Sequence, residues 1–210
     1  MFIDNNVLSN MFLCVAKVWQ ENTDQLSDID SRFGDGDHGV TIGKISRVIT
    51  ENIENNNTNN MSELIGAISD NILFMSGGSA GPLYGTLIGG FGKPLNDEIE
   101  VDGKLLKKMF QSSYDEMKTI TKATVGDKTM MDALIPAVEA AQSATDEISD
   151  ILQKAAEASK VGADSTQNIA SKFGRARSYG DQTIGTCDAG AISTSLLFQG
   201  LYEGFVKYNN

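Results

Sequence analysis

An all-α fold is what this sequence predicts: eight helices in an antiparallel up-and-down barrel. Three observations predict it. Apolar residues recur at helical spacing in eight segments, with few alternating β-branched runs and only three prolines. No shift in composition divides the 210 residues, which suits one domain, 1–210, with a sizeable core. Glycine-rich loops follow the first, third, fifth and seventh helices, and in an up-and-down array those ends all point the same way.

The elements follow in order. Val7, Met11, Val15, Val18 and Trp19 place the first helix at about residues 5–26. Val40, Ile42, Ile45, Val48 and Ile49 continue a second directly from Gly39. The polar stretch 55–60 has nothing to bury and reads as a linker. Ser62 caps a third helix through Leu64, Ile65, Ile68, Ile72, Leu73 and Met75, with Glu63 in its first turn, where the helix dipole favours an acid. After Ser76–Gly81, Pro82 suits the opening turn of a fourth helix through Leu83, Leu87, Ile88 and Phe91. Its interior glycines, 85, 89 and 90, each cost up to about 1 kcal/mol against alanine and imply close contact with a neighbour. Asp102 opens a fifth helix, through Leu105, Leu106, Met109, Phe110 and Met117. Met130 to Ala144 forms a sixth and Ile148 to Phe173 a seventh. The loop Gly174–Gly190 leads to an eighth, through Ile192, Leu196, Leu197, Leu201 and Phe205.

Composition excludes several function classes. Hydrophobic content of 40% and charge of 21% are ordinary for a globular protein. A net charge of -11 argues against nucleic acid or an anionic membrane as partner, though not against a local basic pocket. Cys14 and Cys187 match no zinc or redox spacing and read as free thiols. The start, Met1-Phe-Ile-Asp, lacks the features of a signal peptide, and no apolar run approaches a membrane span. These point to a soluble, cytoplasmic protein.

The chemistry gathers in Asp30-Ser-Arg-Phe-Gly-Asp35-Gly-Asp37-His38-Gly39. Three carboxylates and the chain's single histidine fall within ten residues. Unpaired carboxylates this close raise one another's pKa, and a hard divalent cation removes that penalty. Asp30, Asp35 and Asp37 are therefore candidate metal ligands; a solvated Asp–Gly turn is the plain alternative. Ser76–Gly81 offers small residues at a helix N-terminus, where amides and dipole favour phosphate, or else an ordinary glycine cap. Gly126-Asp-Lys-Thr129 brings a cation and a hydroxyl, or is a charged turn with an N-cap. Gly174-Arg175-Ala-Arg177 places two guanidiniums where phosphate oxygens suit them, or where they serve solubility. Asp188-Ala189-Gly190 opens the last helix, either as part of that phosphate-binding end or as its N-cap and no more.

Two familiar patterns match by accident. Gly34-Asp-Gly36-Asp-His-Gly39 fits G-x-G-x-x-G, but no strand precedes it and acids stand where a pyrophosphate needs bare amides. Gly77-Gly-Ser79-Ala-Gly81 fits G-x-S-x-G, but it follows a helix and lacks a histidine base. The loop from Asp35 is no EF-hand, because its twelfth position is Ser46. Four glycine-rich loops at one end, one acidic and one carrying arginines, suit a metal–nucleotide site that works by positioning and charge neutralisation.

The segments GDGDHG (34–39), GGSAGPLYGT (77–86), GDKTMMDAL (126–134) and GRARSYGDQTIGTCDAGA (174–191) resemble the L subunit of dihydroxyacetone kinases, in that family's order and over nearly the whole chain. The resemblance implies an eight-helix barrel binding ADP or ATP at one end through two Mg²⁺ ions. It implies that Asp30, Asp35 and Asp37 hold the metals. His38, Thr41, Ser79, Ala80, Thr121, Met130, Asp188, Ala189 and Gly190 would line the nucleotide, and Arg175 would both cover it and assist catalysis. Three features depart from the family pattern: Gly-Gly-Ala-Ser-Gly is inverted to Ser79-Ala80, Ala189 replaces a proline, and Arg177 and Gln182 stand for commoner residues. The resemblance further implies two partner chains. A K subunit would hold the ketose on its own histidine, and a phosphohistidine M subunit of the phosphotransferase system would rephosphorylate the bound ADP. A variant using free ATP, and a regulatory subunit signalling to a transcription factor, share the same fold.

Overall fold

The computed structural model describes residues 2–75 and 78–208. Nine α-helices are present among them: α1 (Asn5–Glu21), α2 (Thr23–Ser31), α3 (His38–Glu54), α4 (Met61–Leu73), α5 (Ala80–Gly92), α6 (Gly103–Ile120), α7 (Met131–Ser143), α8 (Ile148–Ser165) and α9 (Ala189–Tyr208). Two 3₁₀ segments, Thr166–Asn168 and Arg175–Thr183, lie between α8 and α9. Setting α2 aside, each helix packs against the next in sequence, and α9 packs on α1, so the array closes on itself. That is the antiparallel barrel the sequence predicts. At the end away from the acidic loop, Ile3 and Val101 exchange backbone hydrogen bonds of 2.9 and 2.8 Å, the one β-bridge among the described residues.

Two boundaries differ from the sequence expectation. The first helix is broken at Asn22. The side-chain amide of Asn22 donates to the Val18 carbonyl at 2.7 Å, taking the acceptor that the next helical N–H would use, while its own N–H turns to the Trp19 carbonyl. The chain therefore re-enters as α2, which carries Asp30 near its C-terminal end. The seventh predicted helix stops at Ser165 rather than Phe173. Beyond it, the carbonyls of Thr166 and Ile169 accept from the Lys128 ammonium and leave the helical path. Caps behave as expected at Asp102, whose carboxylate accepts from Leu105 N–H. On α4 the cap is Asn60, which accepts from both Ser62 and Glu63 N–H, rather than Ser62.

The core runs through the barrel axis. Trp19, Phe12, Tyr84, Phe91, Phe110 and Phe198 are fully buried. Phe110 meets Phe198 edge-on at 5.3 Å, and Trp19 meets Tyr84 edge-on at 5.2 Å. The Trp19–Tyr84 pair sits just beneath the acidic end. Tyr84 is polar on its upper side: its hydroxyl lies 2.6 Å from Ser193 Oγ and 2.9 Å from Thr194 Oγ1. No helix among the described residues is long and apolar enough to cross a membrane.

Candidate metal–nucleotide site

The acidic loop joins α2 to α3 at the mouth of the barrel. Gly36 makes the turn with a φ of +74°, a left-handed value open to glycine. A Cβ at Gly34 would overlap the Asp30 carboxylate, so that position must stay bare for Asp30 to turn inward. One ligand atom from each of Asp30, Asp35 and Asp37 lies within 4.8 Å of the others. Asp30 Oδ2 is buried with no hydrogen-bond partner. Asp37 precedes α3 without capping it, which leaves its carboxylate facing the trio. Partial desolvation, then Asp35 and Asp30, hold the Asp37 carboxyl above the ordinary range. An orphaned buried carboxylate oxygen beside two more acids is a donor set that fits a hard divalent cation.

These acids form one wall of a cavity of about 420 Å³. Gly78, Ser79 and Ala80 at the start of α5 form another part of the lining. Ser76 and Gly77, the first two residues of that predicted loop, lie outside the described residues. Thr121, Thr129 and Met130 contribute from the α6–α7 connection, Phe173 to Ala176 from above, and Asp188 to Gly190 from the start of α9. The segment 166–186 closes over the acids through two contacts. The Arg175 guanidinium pairs with Asp35, and Phe33 meets Tyr179 at 5.3 Å.

Of the residues singled out from sequence, Asp30, Asp35, Asp37, His38, Ser79, Ala80, Thr121, Met130, Arg175, Asp188, Ala189 and Gly190 all border this cavity. Thr41 does not. It lies on the first turn of α3, is 4% exposed, and is absent from the lining. One helical turn past the loop, α3 has already rotated that position into its packing face. Lys128 borders the cavity, yet its ammonium is bound to four backbone carbonyls rather than free for phosphate. Phe33, Tyr84, Phe173 and Cys187 line the site and were not legible as site residues in sequence. Only the adjacency of Phe33 to the acidic run and of Phe173 to Arg175 hinted at them.

His38 is held from below. Its Nε2 is 2.8 Å from Ser193 Oγ, which also contacts the Tyr84 hydroxyl. Burial pulls the imidazole below its ordinary pKa, only partly offset by Asp30, so it is neutral near pH 7. Burial raises the Tyr84 phenol, which keeps it protonated as a hydrogen-bonding hub. Asp188 accepts from Ala191 N–H at 2.7 Å, and its own N–H donates to Thr166 Oγ1 at 2.9 Å. Burial pushes its carboxyl up to about 7, against the pull of the Ala191 N–H.

Comparison with known proteins places this geometry. The model of the DAK2 domain matches residues 32–203. The chain belongs to the DAK2 domain family. Among DAK2 relatives, it is 28% identical to the ADP-binding subunit DhaL of PEP-dependent dihydroxyacetone kinase 1 from Listeria innocua, over 88% of both chains. It is 32% identical to an L-erythrulose kinase from Pectobacterium atrosepticum, covering 84% of this chain but 31% of that one. The crystal structure of the dihydroxyacetone kinase from C. freundii in complex with AMP-PNP and Mg²⁺ superposes with a TM-score of 0.71 at 25% identity, over 97% of this chain and 34% of that one. The chain thus spans nearly the full length of the separate DhaL subunit and about a third of the other two.

Proposed function

We propose that this chain is the nucleotide-binding subunit of a dihydroxyacetone kinase, a single cytoplasmic domain that holds ADP or ATP on Mg²⁺ at the mouth of its barrel. The observation that carries the reading is the Asp30–Asp35–Asp37 trio, with ligand atoms within 4.8 Å and one oxygen orphaned, set in a cavity crossed by Arg175. Asp30, Asp35 and Asp37 would hold two Mg²⁺ ions. Bound there, the metal supplies charge neutralisation for the phosphates. The chain's own groups do the rest. Backbone amides at the N-terminal end of α5, around Ser79 and Ala80, would donate to phosphate oxygens. Met130, Thr121 and the start of α9 at Asp188–Gly190 line the nucleotide. Arg175 exchanges its partner Asp35 for the transferring phosphoryl group, where positive charge stabilises the developing oxyanions. His38, neutral and bonded to Ser193, positions the loop beside the metals and does not serve as a covalent carrier.

The acceptor, a ketose such as dihydroxyacetone, would be carried by a K subunit. The donor reading we favour keeps ADP in place, to be rephosphorylated by a phosphohistidine M subunit of the phosphotransferase system. The near-complete two-way coverage with a PEP-dependent DhaL subunit supports it. The 32% identity to an L-erythrulose kinase supports the alternative, free ATP and a related ketose. Native mass spectrometry of the purified protein separates them. ADP with two magnesium ions surviving gel filtration is the result expected of the first. Nucleotide lost on the column favours the second, and no binding even with added Mg²⁺ and ADP ends both. A role as a nucleotide-dependent partner of a transcriptional regulator would show as co-purification with that regulator in place of a K subunit.

A further inference from the structure

Lys128 is 4% exposed, and its ammonium is surrounded by main chain. Nζ donates to the carbonyls of Thr166 at 2.8 Å, Ile169 at 3.2 Å, Thr183 at 2.8 Å, and Thr186. No carboxylate forms an ion pair with it among the described residues. An ammonium has three N–H donors, so four carbonyls share them. Carbonyl oxygens converging on one point are also how proteins replace the hydration shell of a monovalent cation.

The acceptors are spread along the chain. Thr166 and Ile169 follow α8, while Thr183 and Thr186 precede α9. One positive charge therefore ties both ends of the segment that carries Arg175. The support beneath is rigid. Asp132, fully buried, accepts from Gly126 N–H at 2.6 Å and from Thr129 N–H at 2.8 Å. Lys128 itself has a φ of +60°, a left-handed value that a non-glycine residue holds only where its surroundings impose it.

We propose that Lys128 is a built-in monovalent cation: a positioning residue whose ammonium fills a carbonyl cage, holds segment 166–186 and Arg175 over the carboxylate trio, and leaves a potassium or ammonium site when it is removed. Its effect on affinity rests on the nucleotide reading above; the cage does not.

The test compares wild type, K128A and K128M in lithium, potassium and ammonium chloride. Hydrogen exchange over residues 169–186 reads the cage, and calorimetry with ADP and Mg²⁺ reads the site. In lithium, K128A should lose protection across the segment and bind nucleotide about tenfold more weakly or worse, because four buried carbonyls lose their donor. Potassium or ammonium should restore both. K128M should lose both without recovery, since its thioether fills the cage, and wild type should be indifferent to the salt. A K128A chain that folds only in potassium or ammonium supports the proposal equally. K128M with wild-type protection overturns it, as does K128A impaired alike in all three salts. If wild type binds no nucleotide while the exchange pattern holds, the nucleotide reading fails and the cage stands.

Discussion

Arg175 reaches across the barrel mouth and pairs through Nη1 with a carboxylate oxygen of Asp35. Their side chains are 69% and 40% exposed, so the pair contributes under about 1 kcal/mol to stability. Such a pair is weak enough for a divalent ion to displace the guanidinium, which the proposed function requires of Arg175. Arg175→Ala should then act in opposite directions. Mg²⁺ binding without nucleotide should tighten, by up to about fivefold, because a competing cation is gone. Turnover with the complete kinase should fall about a hundredfold or more. Unchanged turnover would remove Arg175 from the catalytic role.

The orphaned oxygen of Asp30 implies a conflict between stability and binding. Asp30→Asn removes a charge from a crowded, partly buried position. In chelator, the variant should be more stable than wild type by about 1 kcal/mol, read by thermal denaturation. Magnesium-dependent nucleotide binding should drop by about a hundredfold. Loss of stability in chelator together with intact binding would show that Asp30 is structural.

Asp188 gives a pH dependence whose sign can be worked out. Its carboxyl titrates at about 7 when folded, against 3.8 as an ordinary carboxyl. Between these values the folded chain holds the extra proton, so this group's contribution to stability falls as pH rises, and the fall is complete above the folded value. Asp188→Asn keeps an oxygen for Ala191 N–H and cannot ionise. Urea denaturation of the metal-free protein should show the variant gaining on wild type by about 2 kcal/mol between about pH 5 and pH 8. Parallel pH curves would be the contrary result.

The seam between α1 and α9 depends on small residues. A Cβ on Gly200 would sit 2.6 Å from the Val15 Cα, and on Gly204 2.7 Å from the Met11 Cα. Backbone cannot yield as a side-chain tip can. Gly200→Ala should therefore destabilise by about 1–3 kcal/mol, although helix propensity alone favours alanine by up to about 1 kcal/mol. An alanine variant as stable as wild type in urea would mean the helices can slide apart at no cost.

The helices were legible because their signals are local. Apolar spacing fixed the faces from Val7 to Trp19 and from Leu105 to Met117, and Asp102 announced its helix by a cap that spans only four positions. The end of the first helix was not legible, because Asn22 breaks it with its own side chain, and asparagine is tolerated in many helices. Nor was the stop at Ser165, since the alanine-rich run has good helix propensity. It ends where a lysine almost forty positions earlier takes its carbonyls.

By itself the sequence determined the carriers of the chemistry: three carboxylates and a histidine on ten consecutive residues, with glycines at 34 and 36 that permit the turn bringing the acids together. Glycines at loop positions and helical periodicity likewise stand in the sequence, and they set the barrel. Tertiary structure alone decided how each group is used. It joined Arg175 to Asp35 across 140 positions of chain. It turned Thr41 away from the cavity, seated His38 on Ser193, and surrounded the Lys128 ammonium with carbonyls instead of phosphate. The reason is physical: the energy of a buried charge depends on which dipoles and charges surround it, and those neighbours are assembled only when distant segments pack.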